Sequence, residues 1–412
     1  MSDITVIHNA RLTQTQGQLS ERYKITIADE KVILVEPMAT THDTARANLR
    51  EDLDDTDASQ SGAAKLIDVA GDWITLGAVD LQINGALGLA FPDLRTQSFE
   101  RLEQICEFLW QQGIDSFCPT LVTTSVQNFQ GALSAIQQFQ QQQKNTPHTA
   151  KIIGAHLEGP FLNPAKRGAH PQQFLQQLSL ENVKTLVGDF SDTISIMTLA
   201  PECATDDNDI IAWLIHQGIT VSLGHSLATA AQASCAFDQG ATMVTHAFNA
   251  MPGLHHRKPG MLGAGLTDSR VSSGVIADGQ HICPSMLELL LRSERGRRHR
   301  AVSGLFLVSD ALSPLGLPDG TYPWDEREIT VVDGTARLAN GTLSGTTLSL
   351  IRGAQNLVDW DLCEAEEAIA LVTQAPRSAI GLTDNILHHR PERLLRWQSH
   401  ADNSLTWQRL AV

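Results

Sequence analysis

Residues 151–160 read KIIGAHLEGP, and this stretch decides the fold. The short apolar run 152–155 precedes a Gly-Pro turn and carries two polar residues of catalytic type, His156 and Glu158, at its C-terminal end. Brief apolar runs bounded by turn residues read as buried strands. The arrangement recurs. Runs 195–199, 220–223, 243–245, 274–276 and 305–308 are further strand candidates. His225 follows TVSLG, His246 follows ATMVT and Asp310 follows LFLVS. Amphipathic segments such as 99–112 and 229–239 lie between them, and Gly240 stands where a helix C-cap is expected. Strands alternating with helices predict a parallel sheet. Polar residues gathered at strand C-termini predict a (β/α)8 barrel, because that face is where such barrels build active sites.

Outside this region the pattern changes. Runs 4–8, 24–28 and 31–35 are short and β-rich, as are 394–398 and 405–410 near the other end. The expected layout is a small β domain assembled from both chain ends, residues 1–73 and 381–412, around a barrel at 74–380. The acidic stretch 40–62 has little to bury and reads as a loop. The glutamine run 137–144 reads as the exposed face of a helix end.

The 412 residues include 30 Lys plus Arg against 46 Asp plus Glu, a formal net charge of −16. That balance argues against a nucleic-acid or anionic-membrane surface, since phosphate binding is dominated by basic charge. No basic segment followed by an apolar run opens the chain, and no apolar stretch approaches the ~20 residues a membrane span needs. Six cysteines without CxxC pairing read as reduced thiols in a cytoplasmic protein.

Glu158, His225 and His246 offer one carboxylate and two imidazoles, a ligand set that suits Zn²⁺ with a coordination position left open. A lone His at a strand end is often a hydrogen-bonded structural residue; three ligand-type residues at three strand ends make a stronger joint case. Asp310 suits proton transfer to and from water and a leaving group. The Gly-rich turns complete no nucleotide fingerprint, and a dinucleotide reading is rejected. The polar and basic segment 249–258, NAMPGLHHRK, could bind a phosphate through Arg and His donors or be a solvated loop. His281 could add a donor.

Taken together, HLEGPF (156–161), GAH (168–170), SLGHS (222–226), THAFNAM (245–251), ADGQH (277–281), VSDA (308–311) and GTLSG (341–345) form a set. Its order and spacing resemble the N-acetylglucosamine-6-phosphate deacetylase family of the amidohydrolase superfamily, from about residue 74 to 382. The resemblance implies a distorted (β/α)8 TIM barrel with a small β-sandwich. It implies that Glu158, His225 and His246 hold one divalent metal, with Zn²⁺ expected, and that Asp310 is general base and acid. A protonated His170 would contact the sugar and stabilise the oxyanion. Asn249, Ala250, Arg257 and His281 would bind the sugar phosphate, Ala169 would contact the substrate, and Leu343, Ser344 and Gly345 would line the acetyl pocket. It also implies a homodimer in which Arg257 reaches the neighbouring subunit's site.

One departure stands out. Many amidohydrolases carry a His-x-His pair after the first barrel strand, whereas Gln82-Ile83-Asn84 stands here. Amides are weak Zn²⁺ ligands beside imidazole, so a single-metal site is expected. Lys166 reads as surface. The expected activity is deacetylation of N-acetylglucosamine 6-phosphate in amino-sugar catabolism. The alternatives are the galactosamine epimer, a cyclic amide, or a catalytically dead sugar-phosphate-binding protein.

Overall fold

The computed structural model describes residues 4–13, 22–38, 64–143, 146–205, 209–296 and 303–411. The acidic stretch 40–62 and Lys144 of the glutamine run lie outside them. The chain divides into two units, Ala78–Thr383 and the pair of segments Met1–Gly77 and Asp384–Val412.

The larger unit is a barrel of eight parallel strands: β1 (Ala78–Ile83), β2 (Ile114–Val122), β3 (Ala155–Glu158), β4 (Ile194–Leu199), β5 (Thr220–Leu223), β6 (Met243–Val244), β7 (Ser272–Val275) and β8 (Leu305–Leu307). Each pairs in parallel with the next, from β1 with β2 through β7 with β8. The seam between β8 and β1 is closed by the Asp310 N–H donating to the Gln82 carbonyl at 2.8 Å and the Ser309 N–H donating to Asp80 Oδ1 at 3.2 Å. Burial pushes the Asp80 carboxyl up to about 7.

Helices follow the strands because their apolar residues recur at helical spacing. Phe99–Gln111 buries Leu102, Ile105, Cys106, Leu109 and Trp110, one stripe of an otherwise polar helix. Ala230–Asp238 is opened by a capping box, with Thr229 and Gln232 satisfying each other's backbone donors. The glutamine run ends helix Val126–Gln143, but Gln143 is buried rather than exposed. Its amide donates to the Ala150 carbonyl at 2.7 Å and accepts from the Ile152 N–H at 3.1 Å, tying the helix end to the next strand.

The strand expected at 152–155 forms instead as two pieces, Lys151–Ile152 and Ala155–Glu158. Gly154 breaks it: the backbone there has φ +119°, and a Cβ would meet Ser195 Oγ at 2.1 Å. His156 and Glu158 thus lie within β3. The strands β1 and β2 fall on segments not singled out in the sequence. A four-stranded antiparallel sheet, Gly320–Trp324, Arg327–Val332, Thr335–Leu338 and Leu343–Thr346, is inserted between β8 and helix Leu350–Asp359.

In the smaller unit the strands run in the order Lys31–Pro37, Tyr23–Ala28, Thr5–Ala10, Lys65–Asp68 in one sheet. The second sheet is Leu405–Arg409, Leu394–Ser399, Trp73–Leu76. Ile7, Ile25 and Val32 of the first share a core with Ile74, Leu76 and Leu394 of the second, a small sandwich. Trp73–Leu76 pairs with the C-terminal segment, which moves the division between units from 73/74 to 77/78. Among the described residues no helix is long and apolar enough to cross a membrane.

Phe306 on β8 fills the barrel interior with Val79, Ile196 and Met243. Truncating such a residue costs about 3–5 kcal/mol. Phe306→Ala is therefore expected to lower the urea midpoint of unfolding by that equivalent; a midpoint equal to wild type would contradict this packing.

Candidate active site

Glu158 is the last residue of β3, and His225, His246 and Asp310 stand just past β5, β6 and β8. All three of the latter have left-handed backbones, with φ of +48°, +28° and +47°. Such conformations cost about 1–3 kcal/mol each and persist where surroundings over-determine them. Here the neighbouring backbone does so. Gly224 N–H donates to the Leu199 carbonyl, Thr245 N–H to Leu223, Ala247 N–H to Gly274, and Thr346 N–H to the Asp310 carbonyl. The sharp turn at each strand end aims the side chain at the barrel axis.

The donors converge. Glu158 Oε1 lies 3.0 Å from both His225 Nε2 and His246 Nε2, which are themselves 3.0 Å apart. His170 Nε2 stands 4.0 Å from the same oxygen. All four residues are buried. Burial works against a charged Glu158, but the neighbouring His225 and His246 imidazoles hold it well below the ordinary carboxylate range. Burial likewise opposes a charged His246, and Glu158 more than offsets it, raising that imidazole. Three donor atoms gathered this closely suit a cation: a tetrahedral Zn²⁺ with bonds of about 2.0 Å sets its ligand atoms about 3.3 Å apart.

The outer nitrogens decide which imidazoles could be ligands. His225 Nδ1 lies 2.9 Å from the Lys166 carbonyl and must carry the proton, leaving the Nε2 lone pair facing the cluster. Lys166 thus contributes its backbone rather than its ammonium group. His170 is the reverse. Its Nδ1 accepts from the Thr123 N–H at 3.3 Å and lies 2.8 Å from the Thr123 hydroxyl, so its proton sits on Nε2, facing the site. Burial, with repulsion from His225, pushes His170 down to about 3. It is therefore a neutral N–H donor and not the protonated imidazole expected from sequence. His246 Nδ1 has no hydrogen-bond partner among the described residues.

Gln82 and Asn84 complete the centre. Gln82 Nε2 donates to Glu158 Oε2 at 3.2 Å and to Asp310 Oδ1 at 3.3 Å; Asn84 Nδ2 donates to Asp310 Oδ1 at 2.7 Å. An amide oxygen that close to a carboxylate would be repelled, which sets the orientation of Asn84. Burial, and then Glu158, raise the Asp310 carboxyl to about 6. Both amides bind Oδ1, which leaves Oδ2 for a reacting group.

A cavity of about 690 Å³ opens over this centre. Asn84, Glu158, Ala169, His170, His225, His246, Asn249, Ala250, His281, Asp310, Leu343 and Ser344 line it. His281 is oriented by Asp278, whose Oδ2 lies 2.6 Å from Nδ1. Burial would raise the Asp278 carboxyl, but this bond holds it below its ordinary value. Gly345 and Arg257 are not among the lining residues: Gly345 packs on the Asp310 carbonyl, and Arg257 is exposed.

With this geometry established, similarity to known proteins becomes informative. The model of the amidohydrolase family matches residues 73–387. The chain belongs to the amidohydrolase family. An N-acetylgalactosamine-6-phosphate deacetylase of Escherichia coli O157:H7 is 34% identical over 309 residues, covering 75% of this chain and 78% of the relative. An N-acetylglucosamine-6-phosphate deacetylase of Bos taurus is 34% identical over 325 residues, covering 76% of each. The crystal structure of N-acetylglucosamine-6-phosphate deacetylase from Pasteurella multocida superposes with a TM-score of 0.77 at 25% identity, over 98% of this chain and 100% of that one.

Several lining residues of this amidohydrolase were missed in the sequence. Thr123 stands at the end of β2, and the strand-end rule finds it once β2 is recognised. Trp324 and Arg327 reach the cavity from the inserted sheet, with the Arg327 guanidinium 4.7 Å over the Trp324 ring and donating to the Ala169 carbonyl at 2.9 Å. No local motif marks them.

The tautomers predict an asymmetry between the imidazoles. His225→Gln should lose the bound metal, whereas His170→Gln should keep it and lose turnover. Metal analysis of the purified variants checks this, and metal loss in His170→Gln would make that residue a ligand.

Proposed function

We propose that this chain hydrolyses the N-acetyl group of N-acetylglucosamine 6-phosphate, yielding glucosamine 6-phosphate and acetate. The observation that carries this reading is the convergence of Glu158, His225 and His246 on one point beside Asp310 and the Nε2–H of His170. One divalent cation per subunit, Zn²⁺ by the chemistry of the donors, would be held by Glu158, His225 and His246. When bound, it acts as a Lewis acid, polarising the amide carbonyl and acidifying water.

The residues perform the proton transfers. Asp310, held through Oδ1 by Asn84 and Gln82, takes a proton from water on Oδ2 as the water oxygen attacks the amide carbon. His170 donates Nε2–H to the developing oxyanion, a contribution of about 3–4 kcal/mol for one such donor. Asp310 then returns the proton to nitrogen as the C–N bond breaks, since an amine does not leave as an anion.

Recognition divides along the cavity. Leu343 and Ser344, backed by Gly345, would accept the acetyl methyl, and Ala169 and His170 the sugar. Asn249, Ala250 and His281 would take the phosphate, joined by Arg257 from a second copy of this chain in a cytoplasmic homodimer. The exposed position of Arg257 away from its own cavity supports that arrangement. The galactosamine epimer is the second reading, because the relative named for it is as similar as the one named for the glucosamine epimer.

Acetate release from both epimeric 6-phosphates, with and without chelator, tests the function. Release that a chelator abolishes and a divalent metal restores is expected. Asp310→Asn should retain metal and lose turnover by at least about 100-fold. No acetate from either sugar would overturn the proposal.

Arg257→Ala should raise KM at least about tenfold for the phosphorylated sugar and leave the unphosphorylated one nearly unchanged, since a charge-assisted contact is lost only by the former. Equal effects on both would remove Arg257 from phosphate recognition.

A further inference from the structure

Beneath the cluster, inside the barrel, lies a row of polar groups that the reaction does not use. Ser222 Oγ is 2.6 Å from Thr245 Oγ1, Thr245 Oγ1 is 2.6 Å from Thr198 Oγ1, and Thr198 Oγ1 is 2.7 Å from His156 Nε2. His156 Nδ1 lies 3.2 Å from the Leu81 carbonyl. All five residues are buried, none more than 3% exposed.

The protons along this row have one arrangement. A carbonyl only accepts, so His156 Nδ1 carries the hydrogen and Nε2 must accept. Thr198 therefore donates to Nε2. Having spent its single proton, Thr198 accepts from Thr245, and Thr245 in turn accepts from Ser222. The chain of donors runs one way across β5, the end of β6, β4, β3 and β1. Thr120 on β2 lies 3.5 Å from His156 Nδ1 and accepts from the Ile83 N–H at 3.0 Å, which brings a sixth strand into the row.

Each anchor sits immediately below a residue of the centre. Leu81 precedes Gln82, His156 is two residues before Glu158, Ser222 three before His225, and Thr245 adjoins His246. Gly224, the residue before His225, rests directly on the row: a Cβ there would meet Thr198 Cγ2 at 2.8 Å and Thr245 Cβ at 2.9 Å. The backbone that leads into His225 therefore lies close against Thr198 and Thr245.

We infer that the row Ser222, Thr245, Thr198, His156 is a positioning device for the metal centre, holding the strand ends of Glu158, His225 and His246 in mutual register. This rests on the assignment of those three residues as ligands. Ordinary core packing could also place threonines here, but it would make shape, and not the hydroxyl, the property that matters.

Valine matches threonine in shape and lacks the hydroxyl, whereas serine keeps the hydroxyl and loses the methyl. The test is Zn²⁺ affinity of the metal-stripped full chain, by competition with a chromophoric chelator, for wild type, Thr198→Val, Thr198→Ser, Thr245→Val and Thr245→Ser. The valine variants should bind at least about tenfold more weakly and the serine variants within about threefold of wild type, as expected of groups that orient ligands. Valine variants with wild-type affinity, or serine variants as weak as valine, would overturn the inference. Should the valine variants fail to fold, Ser222→Ala removes only the first donor; a weakened affinity supports the row and an unchanged one overturns it. A wild-type chain that binds no Zn²⁺ would overturn the ligand assignment itself, and this inference with it, whereas wild-type binding with unchanged variants overturns only the positioning role.

Discussion

The constraint on which the barrel's site depends is that Glu158, a carboxylate with almost no access to water, must be satisfied by groups far away in sequence. An unpaired buried charge is among the costliest features a protein can carry. Its Oε2 accepts from Gln82, and its Oε1 lies 3.0 Å from the Nε2 atoms of His225 and His246, donor atoms that could share a cation, so three other strand ends must arrive together. The left-handed turns at His225 and His246 serve this demand.

Asp310 is held by a related logic. Its backbone N–H closes the barrel seam on Gln82, and its side chain is gripped through one oxygen by the amides of Gln82 and Asn84. Two neutral amide donors thus stand beside the carboxylates of Glu158 and Asp310 and orient them. The same residues that complete the sheet also set the geometry of these two carboxylates.

The cavity wall has a different origin. Trp324 and Arg327 are delivered by the sheet inserted after β8, which packs Leu312, Ile329, Val331 and Ala336 against Ala169. The insertion turns an open barrel mouth into a lined pocket and braces the loop that carries His170 through the bond from Arg327 to the Ala169 carbonyl.

Local pattern alone was enough to read the barrel and to single out four residues that converge at the ends of its strands. Apolar runs, strand-end placement and residue chemistry pointed to Glu158, His225, His246 and Asp310, because barrel topology converts a one-dimensional rule into spatial convergence. What stayed hidden was whatever depends on a partner distant in the chain. The proton on His170 Nε2 is set by Thr123, the roles of Gln82 and Asn84 by Asp310, and the burial of Gln143 by the strand that follows it. No residue type encodes its own hydrogen-bond partner, and tautomer, amide orientation and charge state are all properties of pairs. The amino-acid order determined which residues could do chemistry and at which end of the strands; only the closed barrel decided which atoms of those residues face one another.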